Sequence, residues 1–135
     1  MKSRRSMSKD SMAIEITSMQ QGKKTRLTVK ARFDPSTMDA VVERSVAESI
    51  CDVVGMDPFP APIPGKHVMS DASCLVDVNF SGCRVPRMAF VVPDGTLKGA
   101  PVMIGTEGLD EHGITVDSTS KKIVAKRCDE RIWIE

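Results

Sequence analysis

The segment at residues 27–34 constrains the fold most strongly, because it joins an alternating strand pattern to an acid directly before proline. Apolar side chains at positions 27, 29, 31 and 33 alternate with polar ones at 28, 30 and 32. This period of two is typical of a half-buried β-strand. Asp34 follows, and Pro35 ends the strand because proline has no N–H for a neighbouring strand. A carboxylate on such a turn is a candidate catalytic group, although Asp-Pro is also an ordinary turn sequence.

Most of the remaining chain is predicted to form short strands separated by turns. The strands are expected at residues 12–19, 25–33, 73–80, 83–92, 100–105, 114–116, 123–125 and 131–134. A short helix is expected from Ser45, after extended residues 41–42, with Gly55 as its stop. A second is expected at residues 106–112, with Thr106 as its N-cap. Many short strands with one or two short helices predict an all-β fold, a small closed barrel.

Four prolines lie within residues 57–65 and exclude a regular helix or a central strand there. The segment ends in a Pro-Gly turn signal. Two interpretations stay open: an ordinary surface loop, or a mobile flap over a site. For the flap, the candidate residues are Pro64, Gly65 and Lys66.

Length and charge limit the possible partners. The 135 residues fit one domain, with a basic, Ser-rich, disordered tail expected at 1–11 and the folded domain at 12–135. The net charge of +1 argues against nucleic acid as a partner. No apolar run reaches the roughly 20 residues of a membrane-spanning helix, so no membrane partner is expected.

The cysteines predict neither a metal site nor a cofactor. Cys51, Cys74, Cys83 and Cys128 form no Cys-x-x-Cys pair, and neither histidine lies at ligand spacing from them. Because the N-terminal residues lack the apolar centre of a secretion signal, four reduced thiols in an intracellular, cytoplasmic protein are expected.

Two loop motifs and two shorter segments follow one another along the chain in a characteristic order. Residues 31–37 read Ala-Arg-Phe-Asp-Pro-Ser-Thr, and residues 103–109 read Met-Ile-Gly-Thr-Glu-Gly-Leu. Residues 91–94 read Val-Val-Pro-Asp, and residues 112–117 read His-Gly-Ile-Thr-Val-Asp. From residue 12 to residue 127, this order resembles the retropepsin-like aspartic proteases, especially those of LTR retrotransposons and their cellular derivatives.

The resemblance implies a retropepsin-like barrel that forms one catalytic-type lobe per chain. Members of this family are homodimers in which each subunit supplies one Asp, and the two carboxylates share a proton. Asp34 matches that Asp. Ile104 and Gly105 match the structural loop motif that follows later in the family, and Glu107 matches an acid with a structural hydrogen-bonding role.

The turn after Asp34 departs from the family pattern of Asp-Ser/Thr-Gly. Pro35 replaces the hydroxyl residue that locks the two subunits together, and it has neither a hydroxyl nor an N–H. Ser36 replaces the glycine and resists positive φ. Ser36 or Thr37 could supply a hydroxyl from a shifted position. The first hypothesis is therefore a degenerate domain with lost or weak peptidase activity that acts through dimerisation or protein binding.

Two alternatives stay open, so the sequence does not decide whether the protein is an enzyme. One is an active homodimeric aspartic endopeptidase that hydrolyses peptide bonds with Asp34 from each subunit. The other is an unrelated small β-barrel that binds a peptide or nucleic acid.

Overall fold

Nine strands and two short helices make up the described part of the chain. The structure, a computed structural model, describes residues 11–117, 119–126 and 128. In chain order the elements are β1 (Ser11–Gln20), β2 (Lys23–Asp34), β3 (Ala40–Glu43), α1 (Arg44–Ile50), β4 (Val54–Pro60), β5 (Met69–Phe80), β6 (Cys83–Val92), β7 (Val102–Gly105), a 3-10 helix (Leu109–His112), β8 (Ile114–Asp117) and β9 (Lys122–Ala125).

Six of these strands close into a barrel. They follow the order β1-β2-β7-β3-β6-β5, and a further pairing of β5 with β1 closes the ring. The β2–β7 and β3–β6 pairs are parallel, and the remaining pairs in the ring are antiparallel. Inward side chains, mostly Val, Ile and Ala, fill the interior with Phe80. The prediction of a small closed all-β barrel with short helices is confirmed.

The hairpin turns explain two of the predicted strand boundaries. Gln21 and Gly22 join β1 to β2 with φ of 52° and 79°, and Ser81 and Gly82 join β5 to β6 with φ of 53° and 95°. Positive φ at both central residues matches the twist of paired strands, and the glycine in each turn adopts it readily.

The first helix ends earlier than the sequence predicts. Residues 41–42 are extended, as expected, but α1 ends at Ile50 and Gly55 lies in β4. Thr25 Oγ1 donates to the Ile50 carbonyl at 2.6 Å, and the Asp52 N–H donates to the Met19 carbonyl at 3.0 Å. These contacts from β1 and β2 end the helix, so Gly55 is not its stop.

The proline-rich segment forms an edge strand and a loop. Strand β4 pairs with β5 alone, and its register shifts between Gly55 and Phe59. An edge position tolerates Pro58 and Pro60 because no second neighbour needs their missing N–H groups. Residues 61–68, here called the tip loop, then connect β4 to β5.

The second predicted helix is wrong in its start and type. It is a 3-10 turn that begins at Leu109, after Gly108 with φ 84°. Thr106 does not cap it, because the N-cap position is Gly108 and no side chain caps the turn; the Thr106 N–H instead donates to the Asp34 carbonyl at 2.9 Å. Glycine at position 108 therefore permits this backbone conformation, because φ near 84° is unfavourable for residues with a Cβ.

Two cysteines contradict the expectation of four reduced thiols. Cys83 and Cys128 form a disulfide, with their Cα atoms 5.4 Å apart, whereas Cys51 and Cys74 are free and buried. The 45-residue separation hides this pairing from sequence inspection, because only the folded barrel brings the two residues together.

The chain ends are described only in part. Ser11, which the sequence assigned to the tail, begins β1, while residues 1–10 and the expected strand at 131–134 lie outside the described residues. None of the described helices has the length and apolar character needed to cross a membrane.

Candidate functional site

Asp34 is the last residue of β2 and is buried, with 7% of its surface exposed. The resemblance predicts that its turn packs against the Ile104–Gly105 motif. In the structure, Phe33 lies opposite Ile104 and Asp34 opposite Gly105 in the parallel β2–β7 pair. The barrel therefore holds the carboxylate on a rigid strand rather than on a free loop.

The turn after Asp34 is built around its own side chain. The Ser36 N–H donates to Asp34 Oδ1 at 3.0 Å, and the Ser36 hydroxyl donates to the same oxygen at 2.7 Å. This is an Asx turn, and the φ of Pro35 suits its central position. Ser36 does not adopt positive φ, so the steric objection to a side chain at that position does not arise.

Three backbone hydrogen bonds tie this turn to the end of β7. The Gly105 N–H donates to the Asp39 carbonyl at 2.9 Å, and the Thr106 N–H donates to Asp34. The Glu107 N–H donates to the Thr37 carbonyl at 3.1 Å. The hydrogen bond that Glu107 contributes here is thus donated by its backbone N–H.

Gly105 is the point of closest approach between the two loops. A Cβ placed there would lie 2.2 Å from the Thr37 carbonyl oxygen and 2.5 Å from that of Asp39. Both contacts are with backbone atoms, which cannot rotate away. Glycine at this position is what lets β7 approach the Asp34 turn.

Residues of the tip loop line the same cavities as Asp34. Pro64 and Gly65 occupy the centre of a turn closed by the Lys66 N–H and the Ile63 carbonyl at 3.2 Å, with φ of 73° at Gly65. Asp34, Ile63 and Pro64 line two adjoining cavities of about 350 Å³ each. The structure thus brings the flap candidates Pro64 and Lys66 to the same cavity as Asp34.

Apolar packing attaches the tip loop to the rest of the domain. Ala61 and Ile63 belong to a second buried cluster with Leu97 and Met103, outside the main barrel core. The Ala61 N–H also donates to the Val68 carbonyl at 2.9 Å across the loop. The tip loop is therefore packed in a defined position against the rest of the domain.

Cationic residues outnumber acidic ones among the residues that line the Asp34 cavities. Among the described residues that line the two cavities, Asp34 is the only one with a carboxylate. Its Oδ2 atom is buried and has no hydrogen-bond partner among the described residues. A chemistry that needs two carboxylates at this place therefore requires a second one from outside the described residues.

Sequence reasoning missed three residues that line the Asp34 cavity that Lys66 also lines: Arg32, Leu97 and Lys98. A signal for Arg32 was available, because residues two apart on a strand share a face and Asp34 is two residues later. Leu97 and Lys98 reach the cavity from the loop before β7, and no local pattern places them there.

A larger cavity of about 510 Å³ shares no lining residue with the Asp34 site. Its apolar wall includes Met19, Val54 and Met88, and Cys74 also lines it. A hydrogen bond with Cys51, together with burial, raises the pKa of the Cys74 thiol. No described group of three or more His, Cys, Asp or Glu residues could hold a metal ion.

Comparison with known proteins yields a structural likeness only. No family model and no curated protein sequence matches the chain. The structure is similar to that of the retroviral protease-like domain of Ddi1 from Leishmania major, with a TM-score of 0.48 and 18% identity over 85% of this chain and 87% of that one.

The retropepsin-like fold that the two loop motifs predict is nevertheless seen in the structure itself. It consists of a closed six-stranded barrel, the Asp34 turn in register with Gly105, and the tip loop above them. These features are the arrangement that the resemblance implies, and they favour it over the alternative of an unrelated small β-barrel.

Proposed function

We propose that this chain is a peptide-binding retropepsin-like domain that dimerises through the Asp34 turn and has weak or no peptidase activity. The observation that carries the proposal is the pair of cavities between Asp34 and the tip loop. A cleft with a buried carboxylate below and a hairpin loop above suits an extended peptide, whose backbone can bond to both walls.

The residues of the Asp34 turn support the proposal that peptidase activity is weak or lost. Hydrolysis by an aspartic dyad needs two carboxylates that share a proton, one as base and one as acid. A second copy of the chain is the natural source of the second carboxylate. Pro35 offers no hydrogen-bond donor to bond across a two-fold axis, and the Ser36 hydroxyl already bonds to Asp34 of its own chain.

A working homodimeric endopeptidase is the second candidate, and one observation favours it. Asp34 Oδ2 is buried without a partner among the described residues, while Oδ1 accepts two hydrogen bonds. An unpartnered buried carboxylate oxygen is costly. A second carboxyl group or a shared water would remove that cost, as in an aspartic dyad.

The test compares the wild-type chain with Asp34→Asn, which keeps the shape of the side chain. Cleavage of a mixed peptide library is measured from about pH 4 to 7.5, the range in which aspartic dyads change protonation, and peptide binding and sedimentation equilibrium are measured in parallel. A dimer that binds peptides without cleaving them supports the first proposal. Cleavage that Asp34→Asn abolishes supports the second, and a monomer that binds no peptide overturns both.

A further inference from the structure

One of the two Asp34 cavities, the one that Lys66 lines, has three cationic side chains in its wall. Arg32 from β2, Lys66 from the tip loop and Lys98 from the loop before β7 line it, and Asp34 is the only acid beside them. Three segments that are distant in sequence therefore place cations around one cavity of about 350 Å³. Apolar side chains complete its wall: Phe33, Ile63 and Leu97 among others.

Two of these cations are held in place by backbone carbonyls rather than by acids. An Arg32 Nη2 atom donates to the Leu97 carbonyl, and Lys66 Nζ donates to the Thr96 carbonyl at 3.1 Å. None of the three cations forms an ion pair with a described carboxylate. Their charges are oriented by the fold but are not neutralised by it.

Arg32 also has an unused donor. Its Nε atom is buried and has no hydrogen-bond acceptor among the described residues. A buried donor without an acceptor is unfavourable, and a guanidinium group binds a carboxylate through two parallel hydrogen bonds. Arg32 lines the cavity, so its guanidinium is the group expected to bind a carboxylate there.

Lys98 is positioned by an uncommon backbone. It has φ 47° and precedes Gly99 with φ 87°. Residues with a Cβ rarely adopt positive φ, and such positions are often found at functional sites. This conformation turns the loop so that Leu97 is buried and Lys98 is exposed at the cavity.

We propose that Arg32, Lys66 and Lys98 form a subsite that selects an acidic side chain, Asp or Glu, in the bound peptide next to the position held by Asp34. This inference rests on the proposed function, since the ligand is the peptide in the same cleft. Apolar walls lower the local dielectric constant and so strengthen the attraction between the cations and a carboxylate. Repulsion from Asp34 limits the acid to the side of the cavity that the cations occupy.

The test uses the full-length chain and fluorescent peptide pools that differ at one fixed position, which carries either Glu or Gln. At low salt the wild-type chain is expected to bind the Glu pool about 10-fold more tightly, the scale of a charge-assisted bidentate pair. In Arg32→Gln the preference is expected to fall to about 2-fold or less, and Lys98→Gln is expected to reduce it partly. High salt is expected to weaken it as well.

Lys30→Gln is the matched control, because Lys30 is an exposed cation on the same strand and does not line the cavity. It should keep the wild-type preference. Arg32→Lys keeps the charge and shows whether a loss in Arg32→Gln reflects charge or misfolding. Equal binding of the Glu and Gln pools by the wild-type chain overturns the subsite but leaves the peptide-binding function intact. Failure to bind either pool overturns the proposed function itself.

Discussion

At the scale of single residues, Gly105 shows how one missing Cβ decides whether the site can form. Its backbone lies against two carbonyl groups of the loop after Asp34, so the constraint comes from packing and not from an unusual φ. The same residue donates the hydrogen bond to Asp39 that joins the two loops. The site therefore depends on a residue that contributes no functional group.

Gly105→Ala is expected to lower the free energy of unfolding by about 3 kcal/mol, because overpacking against rigid backbone costs about 1–3 kcal/mol or more. Chemical denaturation measures the change. The control is Gly55→Ala, since Gly55 lies in β4 with open space around its Cβ position and no positive φ. Equal stability of the two variants would contradict the close approach seen here.

The Ser36 hydroxyl is the second residue-scale feature, because it bonds to Asp34 within a turn that lacks the family's usual residues. Ser36→Ala is expected to cost about 1 kcal/mol of stability, the net value of one hydrogen bond at a partly exposed site. Ser49→Ala is a suitable control, since the Ser49 hydroxyl bonds only to the Val46 carbonyl of its own helix. A larger loss for Ser49→Ala than for Ser36→Ala would argue against the Asx turn.

At the scale of elements, the β4–β5 hairpin differs from the barrel strands because, among the described residues, nothing pairs with the outer edge of β4. Its tip loop depends on Ala61 and Ile63 for attachment to the body of the domain. Edges and loops with few buried contacts open locally at low free-energy cost. Local opening of the tip loop is therefore expected to cost less free energy than unfolding of the barrel.

Ile63→Ala is expected to speed hydrogen exchange of the Ala61 and Lys66 amides about 10-fold or more, while global stability falls by less than the roughly 2–5 kcal/mol typical of a fully buried Ile→Ala change. Val54→Ala provides the control, because Val54 lies in the same hairpin and is 61% exposed. If Ile63→Ala instead slows or leaves unchanged the exchange of these amides, the loop is not held by this cluster.

At the scale of the whole molecule, the Cys83–Cys128 disulfide ties the start of β6 to the C-terminal part of the chain. It closes a long loop that contains β7, the 3-10 helix and the β8–β9 hairpin. Cross-linking restricts the unfolded chain and usually adds about 2–4 kcal/mol to stability.

The variant carrying both Cys83→Ser and Cys128→Ser is expected to unfold about 2–4 kcal/mol more easily than the oxidised wild type. A reducing agent should bring the wild type down to the level of the variant and leave the variant unchanged. Because Cys51 and Cys74 are present in both proteins, their thiols cannot account for the difference. A wild type that is indifferent to reduction would show that the disulfide is not formed in solution.

Local patterns were sufficient for the elements whose signals lie within a few residues. Alternating side chains predicted β1, β2 and β5, a nearly continuous apolar run predicted β6, and glycine-containing turns predicted the hairpins between them. The local signals failed where distant contacts overrode them. Thr25 and Met19 end α1 before Gly55 is reached, and the 3-10 helix begins after Gly108 rather than at Thr106, whose N–H donates to the Asp34 carbonyl.

The sequence by itself therefore determined the all-β class, the strand that ends in Asp34 and the order of the two loop motifs, because these follow from side-chain periodicity and turn chemistry along the chain. Only the tertiary structure decided the Cys83–Cys128 pairing and the gathering of Arg32, Lys66 and Lys98 around one cavity. The reason is physical: closing a barrel brings together residues that are tens of positions apart, and no local pattern records which of them meet.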